Sequence, residues 1–259
     1  MTMLSINTNI GALNASQSSY SVNNSMETSM ARLSSGNRIN SAADDAAGLQ
    51  IARRMDTEIQ GLNQAVRNAA DAQALLQTAE GALDEVHTIL LRIRELSVQA
   101  SNGTYGAQDR LAIQAEVTDL QSEITRISND TTWNSISLIE GSQSTGITFQ
   151  IGADNTQTVT VAIANIALAT LSIGGTSQVT TATNAMSYIA AVDKAISVIS
   201  TNRGTYAAAI NRLDHSVANM QDAATNLAEA KGRIKMLILR QKRQIYQGRK
   251  FCSKQAWRC

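Results

Sequence analysis

The chain has 259 residues, 22 Lys and Arg against 21 Asp and Glu, no proline and only 3% aromatic residues, where average usage would place ~13 prolines. With 43% hydrophobic residues this is not a disordered composition; scarce aromatics argue for long helices on aliphatic seams rather than a large compact core, and no apolar run approaches the ~20 residues that cross a bilayer. The near-neutral charge is an average: residues 1–230 hold 12 basic and 21 acidic residues, whereas residues 231–259 hold ten basic residues, no acid and both cysteines, Cys252 and Cys259.

Residues 5–35 are rich in Asn, Ser and Ala. Their apolar positions Ile6, Ile10, Leu13, Tyr20, Val22, Met26, Met30 and Leu33 repeat at a helical period but make a thin stripe. Such a helix is marginal alone and needs a partner, and Gly36-Asn37 reads as its stop. A second helix is expected to start at Ser41, with Asp44 as a capping-box acid. From there to Ala100 the spacing is that of a coiled coil: Met55, Ile59, Leu62, Val66, Ala69, then Leu76, Ala79, Leu83, Val86, Leu90 and Ile93, with one irregularity around Gln73–Ala79. Its length is ~85 Å at 1.5 Å per residue. Ser101-Asn102-Gly103-Thr104 breaks it.

A third helix carries Ile113, Val117, Leu120, Ile124 and Ile127. The period then changes to two: Ile147, Phe149 and Ile151 alternate, Gly152–Asn155 reads as a turn, and Val159, Val161 and Ile163 alternate again. Leu168, Leu171 and Ile173 suggest a third strand before Gly174-Gly175. A fourth helix from about Asn184 carries Ala185, Ile189, Val192, Ile196, Ile199, Tyr206, Ile210, Leu213, Val217, Met220, Ala224 and Leu227, interrupted only by Arg203. Seams of this kind must face one another. The fold class expected is mainly α, a long antiparallel helical coiled-coil bundle with a small β insert at its distal tip. The expected divisions are a terminal helix over 1–43, a helical rod over 44–135 and 181–234, a β-rich insert over 136–180 and a basic tail over 235–259.

Chemistry is sparse. His87 and His215 stand alone on expected helices, and Cys252 and Cys259 lack CxxC spacing, so neither metal ligation nor catalysis is expected. Phosphate-cradling and nucleophile-elbow motifs are missing from the sequence. No enzyme activity and no cofactor are expected. No basic stretch followed by an apolar one opens the chain, so a cleaved secretory signal is not expected either.

The segment Ala31–Ala52, with Arg32, Leu33, Ser34, Ser35, Gly36, Arg38, Ile39, Asn40, Ser41, Asp44, Asp45, Gly48 and Leu49, resembles the N-terminal signature of bacterial flagellins. Ser5–Asn9 and Arg92–Ala100 resemble the same family. The likeness covers roughly residues 4–140 and 184–234. It implies a structural subunit of the flagellar filament, exported through the flagellar channel, secreted, and polymerised outside the cell for motility. It further implies a filament-core helix carrying Ile6, Ile10, Leu13, Met26, Met30 and Leu33, which orders on assembly. The implied partners are further copies of the chain, an export chaperone and the filament cap. Hosts add a flagellin-sensing Toll-like receptor at Arg92, Leu96 and Glu116, and a plant receptor kinase at the signature from Arg32 to Leu49. This chain has Leu91 where recognised flagellins often have Gln, and Asn37 and Ala43 where the plant epitope usually has Leu and Lys. A hook–filament junction protein shares the same terminal helices and is the nearest alternative.

The family pattern stops at Gly232-Arg233-Ile234. A DNA sequence encoding residues 235–259, read after restoring one G ahead of codon 235, can encode EDADFAAETANLSRPQILQQAGMAM, which resembles the family's C-terminal pattern. The basic tail is therefore read as that helix one base out of frame. A chain with this tail is expected to fold its rod and fail to form stable filaments. Taken alone, Lys and Arg interleaved with Tyr246, Phe251 and Trp257 would suggest a surface or nucleic-acid-binding module. With the frame explanation no nucleic acid and no membrane insertion are expected.

Overall fold

The computed structural model describes residues 9–236, apart from 144, 176 and 177. The expected core position Ile6 and the tail from residue 237 lie outside the described residues. Two compact units are present, one built from residues up to Gln60 together with those from Ala224 on, the other from Gly61–Ala223.

In the first unit, α1 (Ile10–Ser35) is capped by Asn9, whose Oδ1 accepts from the Ala12 N–H at 3.1 Å, and stops at Gly36 in the left-handed region, φ 69°. That stop agrees with the sequence, since only glycine adopts this conformation without a β-carbon penalty. The helix buries none of its residues, and Ile10 and Leu13 are 67% and 63% exposed. The next helix, α2 (Ala46–Ser101), begins five residues later than Ser41. Asp45 performs the expected capping: its Oδ1 accepts from the Gly48 N–H at 2.9 Å and its carbonyl from the Leu49 N–H at 3.0 Å. Residues 41–44 turn instead of coiling, because Asp44 binds the N–H groups before it rather than those after it.

In the second unit α2 and α5 (Ala182–Lys235) run antiparallel. Polar pairs fix their register: Gln73 with Asp214 at 2.6 Å, Asp84 with Arg203 at 2.7 Å, and Asp193 with Arg94 at 2.6 Å. Each step forward on α2 is matched by an equal step backward on α5. Arg203 thus sits beside the seam and reads the charge of α2. The α2 seam is Ala65, Ala69, Ala72, Leu76, Ala79, Leu83, Val86, Leu90, Ile93, Ser97 and Ala100, all buried. Ala72 fills the supposed irregularity, so alternating steps of four and three continue unbroken. On α5 the buried line is Ala185, Tyr188, Val192, Ala195, Ile199, Tyr206, Ala209, Leu213 and Met220. Ile196, Ile210 and Val217, expected on the seam, are partly buried beside it. Small Ala195 and Ala209 take the centre and the branched residues flank it, widening the apolar stripe.

α3 (Ala107–Asp130) returns along α2 after a tight turn, with Arg110 Nε donating to the Ala100 carbonyl at 2.8 Å. Gly106 N–H donates to Asp109 Oδ2 at 2.9 Å, closing its first turn. Between α3 and α5 lie two hairpins, β1 (Thr132–Trp133) with β2 (Ile136–Ser137), and β3 (Ile147–Gln150) with β4 (Thr158–Val161). The first escaped the sequence reading because its strands are two residues long; its turn is Asn134-Ser135, both at positive φ. The second matches the expected alternation. The expected third strand is instead a short helix, α4 (Leu168–Leu171), ended by Ser172 at φ 57°. Leu168 and Leu171 are spaced for one helical turn as well as for alternation, which is why periodicity misread them.

Buried polar side chains hold this insert to the helices. Gln121 Nε2 donates to the Ile173 carbonyl at 2.6 Å and to Tyr188 Oη at 2.8 Å, while Tyr188 Oη donates to the same carbonyl at 3.0 Å. Gln114 Oε1 accepts from the Val179 N–H at 2.8 Å, and Tyr206 Oη accepts from the Ala164 N–H at 2.7 Å. Buried main-chain groups require partners, and irregular backbone finds them here in α3 and α5. Burial raises both tyrosine hydroxyls above their ordinary pKa, against the lowering effect of these hydrogen bonds.

Candidate recognition sites

The signature residues fold into one connected loop. Asp44 is its hub: Oδ1 accepts from Arg32 Nη2 at 2.5 Å, and Oδ2 accepts from the main-chain N–H groups of Asn40 and Ser41, both at 3.1 Å, and from Ser41 Oγ at 3.2 Å. Four donors on one carboxylate favour its charged form; Arg32 first, then the Ser41 and Asn40 N–H groups, lower the Asp44 pKa to about 2. Ser35 Oγ donates to Asn40 Oδ1 at 2.8 Å, and Asn40 Nδ2 donates to the Ala31 carbonyl at 3.2 Å, so the end of α1 is tied to the turn. Beneath the turn Ile39 and Gly48 are buried. A β-carbon on Gly48 would lie 2.5 Å from Asp45 Oδ2 and 2.8 Å from Ile39 Cδ1. Glycine is needed there for close approach, not for an unusual φ.

Arg38 closes the loop onto the end of α5. Its N–H donates to the Lys235 carbonyl at 2.7 Å and its Nη2 to the Ile234 carbonyl at 3.0 Å, with Asp45 3.6 Å away. Carbonyls at a helix C-terminus lack intrahelical donors and carry partial negative charge, so a guanidinium suits them. Lys231 of α5 pairs with Asp56 of α2 in the same unit. Ser34 and Ser41 are exposed, whereas Leu33 and Leu49 are half-buried. No sequence signal pointed to the Arg38 contact, because its partners are main-chain atoms 196 residues away.

In the second unit Arg92 of α2 donates from Nε and Nη2 to Glu116 Oε1 of α3 at 3.1 and 2.8 Å, and from Nη1 to Glu95 Oε2 at 2.6 Å. Glu116 and then Glu95 raise the Arg92 pKa. Arg92 and Glu116 therefore form one exposed charged patch with Leu91 exposed next to it in sequence. Leu96 does not share that surface: it is 2% exposed and belongs to the core. Of the expected filament-core residues, Ile10, Leu13 and Met30 are exposed, and Met26 and Leu33 are half-buried. Among the described residues no group of three or more His, Cys, Asp or Glu is placed to hold a metal ion, and no described helix is long and apolar enough to cross a membrane.

Residues 6–144 match the family model described as the bacterial flagellin N-terminal helical region. A flagellin of Halalkalibacterium halodurans is 41% identical over 231 residues, covering 89% of this chain and 85% of that protein. Flagellin D of Vibrio anguillarum is 46% identical over 174 residues, 67% of this chain but 46% of its own length, so against such longer relatives the chain spans about half. The crystal structure of Bacillus cereus flagellin superposes with a TM-score of 0.53 at 32% identity, covering 64% of this chain and 94% of that one. A matching family model over more than half the chain, a relative aligned over most of its length and a shared helical fold lead to one conclusion: this chain belongs to the bacterial flagellins, the structural subunits of the flagellar filament.

Proposed function

We propose that this chain is exported from the bacterial cell and polymerises with copies of itself into an extracellular filament used for swimming. The observation that carries the reading is α1: 26 residues, none buried, with Ile10, Leu13, Tyr20 and Met30 exposed on it. A helix with no fully buried residue in its own chain gains its stability from another. The export chaperone and the filament cap are the further partners this reading requires. In infected hosts the charged patch of Arg92 and Glu116 serves a flagellin-sensing Toll-like receptor, and the loop from Arg32 to Leu49 serves a plant receptor kinase.

The tail decides whether the chain assembles. A filament-core helix needs a helical partner, and residues 235–259 supply eight basic residues and no acid rather than the family's C-terminal pattern. The test compares this chain with one expressed from a gene carrying one additional G ahead of codon 235. Electron microscopy and sedimentation are expected to show filaments only from the second. Normal filaments from the chain as it stands would overturn the assembly defect, and filaments from neither would overturn the polymer reading. Intact mass and the gene sequence across codon 235 establish which tail the organism makes.

A further inference from the structure

Asn102-Gly103 is the single Asn-Gly pair of the chain. It follows Ser101, the last residue of α2, and both residues are exposed. Asn102 Oδ1 accepts from the Thr104 N–H at 3.2 Å, which folds the side-chain amide forward over the peptide that links Asn102 to Gly103. Gly103 carries no β-carbon, and the space where one would stand is empty to 4 Å. These are the requirements for an intramolecular reaction: a nucleophilic main-chain nitrogen held beside an electrophilic amide carbon, with no side chain shielding it and water at hand.

We propose that Asn102 is a site of spontaneous covalent self-modification, converting through a cyclic imide to aspartate and isoaspartate. The Gly103 main-chain nitrogen, losing its proton to solvent base, forms a bond to Asn102 Cγ. The Cγ–Nδ2 bond breaks and ammonia leaves with a proton from water. Water then opens the five-membered ring: attack at the side-chain carbonyl gives aspartate, and attack at the main-chain carbonyl gives isoaspartate, whose backbone runs through the former side chain. No oxidant, metal or enzyme enters the balance.

The surroundings accommodate the product. A carboxylate at a helix C-terminus meets the unfavourable end of the dipole, but Arg110 already donates from Nη2 to the Asn102 carbonyl at 3.0 Å and from Nε to the Ala100 carbonyl at 2.8 Å. Its guanidinium supplies the counter-charge. Isoaspartate adds a carbon to the main chain of the turn and draws the Asn102 carbonyl away from Arg110, loosening the connection between α2 and α3. Other asparagines are held differently. Asn63, Asn68, Asn202 and Asn219 lie inside helices, where the following N–H is committed to the helical ladder, and Asn134 is followed by Ser135, whose β-carbon hinders attack.

The purified whole chain, incubated at mildly alkaline pH, tests this by peptide mass spectrometry together with methyl labelling by an isoaspartyl methyltransferase. Residue 102 is expected to convert ahead of every other asparagine, faster as pH rises. Gly103→Ala is expected to slow conversion roughly tenfold or more, because a β-carbon shields the nitrogen. The open space around Gly103 lets that variant fold, which circular dichroism checks. An intact amide at 102 in the folded chain, while a synthetic peptide of residues 97–108 converts, would overturn the proposal. So would equal rates in Gly103→Ala and the parent chain. Neither result depends on whether the chain forms filaments.

Discussion

α1 and α3 are helices of nearly equal length, 26 and 24 residues, in different units. α3 buries six residues, including two glutamines and a serine that bond irregular backbone, whereas α1 buries none. Helical period alone does not separate them. The separation lies in whether the chain supplies an opposing surface. α3 faces α2 through Arg92 and Glu116 and holds the insert through Gln114 and Gln121. α1 presents Ile10, Leu13, Tyr20 and Met30 exposed and buries none of its residues fully, as a subunit reserved for self-assembly would.

The largest expected effect breaks or sharpens that contrast directly. Leu90→Ala, in the fully buried α2 seam, should cost about 2–5 kcal/mol of stability in denaturant unfolding. Leu13→Ala, on exposed α1, should change monomer stability by less than about 0.5 kcal/mol. Comparable losses from the two would mean that α1 is packed in the isolated subunit. Next in size is Tyr206→Phe. It keeps the ring and leaves the Ala164 N–H without its acceptor, so a loss of about 1–3 kcal/mol is expected, seen as faster amide exchange around Ala164.

Gly48→Ala makes the same comparison inside the signature loop. The added methyl meets Asp45 and the buried Ile39 at less than 3.0 Å, and overpacking of this kind costs about 1–3 kcal/mol. Because Asp45 caps α2, the change should appear as lost exchange protection at Gly48 and Leu49. The second unit, which holds none of these contacts, should keep its thermal transition. A shift of that transition instead would show the two units to be energetically coupled.

Much of this was legible from residue spacing. The four-three alternation of Leu76, Ala79, Leu83, Val86, Leu90 and Ile93 is an α2 seam in both sequence and structure. The β3–β4 hairpin follows from alternation about a glycine turn. What escaped has physical causes. Alanine is apolar but small, so Ala72, Ala195 and Ala209 were passed over for bulkier neighbours, although a close helix pair places small residues at its centre. Two-residue strands carry no period, and a four-residue helix mimics a strand. The Arg92–Glu116 pair came with the family resemblance, but burial of Leu96 beneath the surface is a tertiary fact. The Arg38 contact with α5 joins distant main-chain carbonyls, and nothing in side-chain patterning announces it.

The smallest effect concerns Asp44, where charge rather than packing distinguishes the loop. Its pKa is lowered to about 2 by Arg32 and two main-chain N–H groups, from an ordinary value of ~3.9. A depressed carboxylate contributes stability that is fully present above the ordinary value and is lost as pH falls through the folded one. The Asn40 and Ser41 amides bonded to its Oδ2 should therefore hold their exchange protection at neutral pH and lose it as pH falls from ~4 towards about 2. Asp44→Asn keeps the shape of the side chain, removes the charge and supplies one acceptor oxygen for four donors. Its loop should be less protected at neutral pH and should not change across that acid range. The Leu90 core should be indifferent to the Asp44→Asn substitution, since Asp44 belongs to the other unit. If the variant kept the parent's acid transition, another carboxylate would be responsible for it, with Asp45 the nearest, and the hub of the loop would have to be moved one residue along.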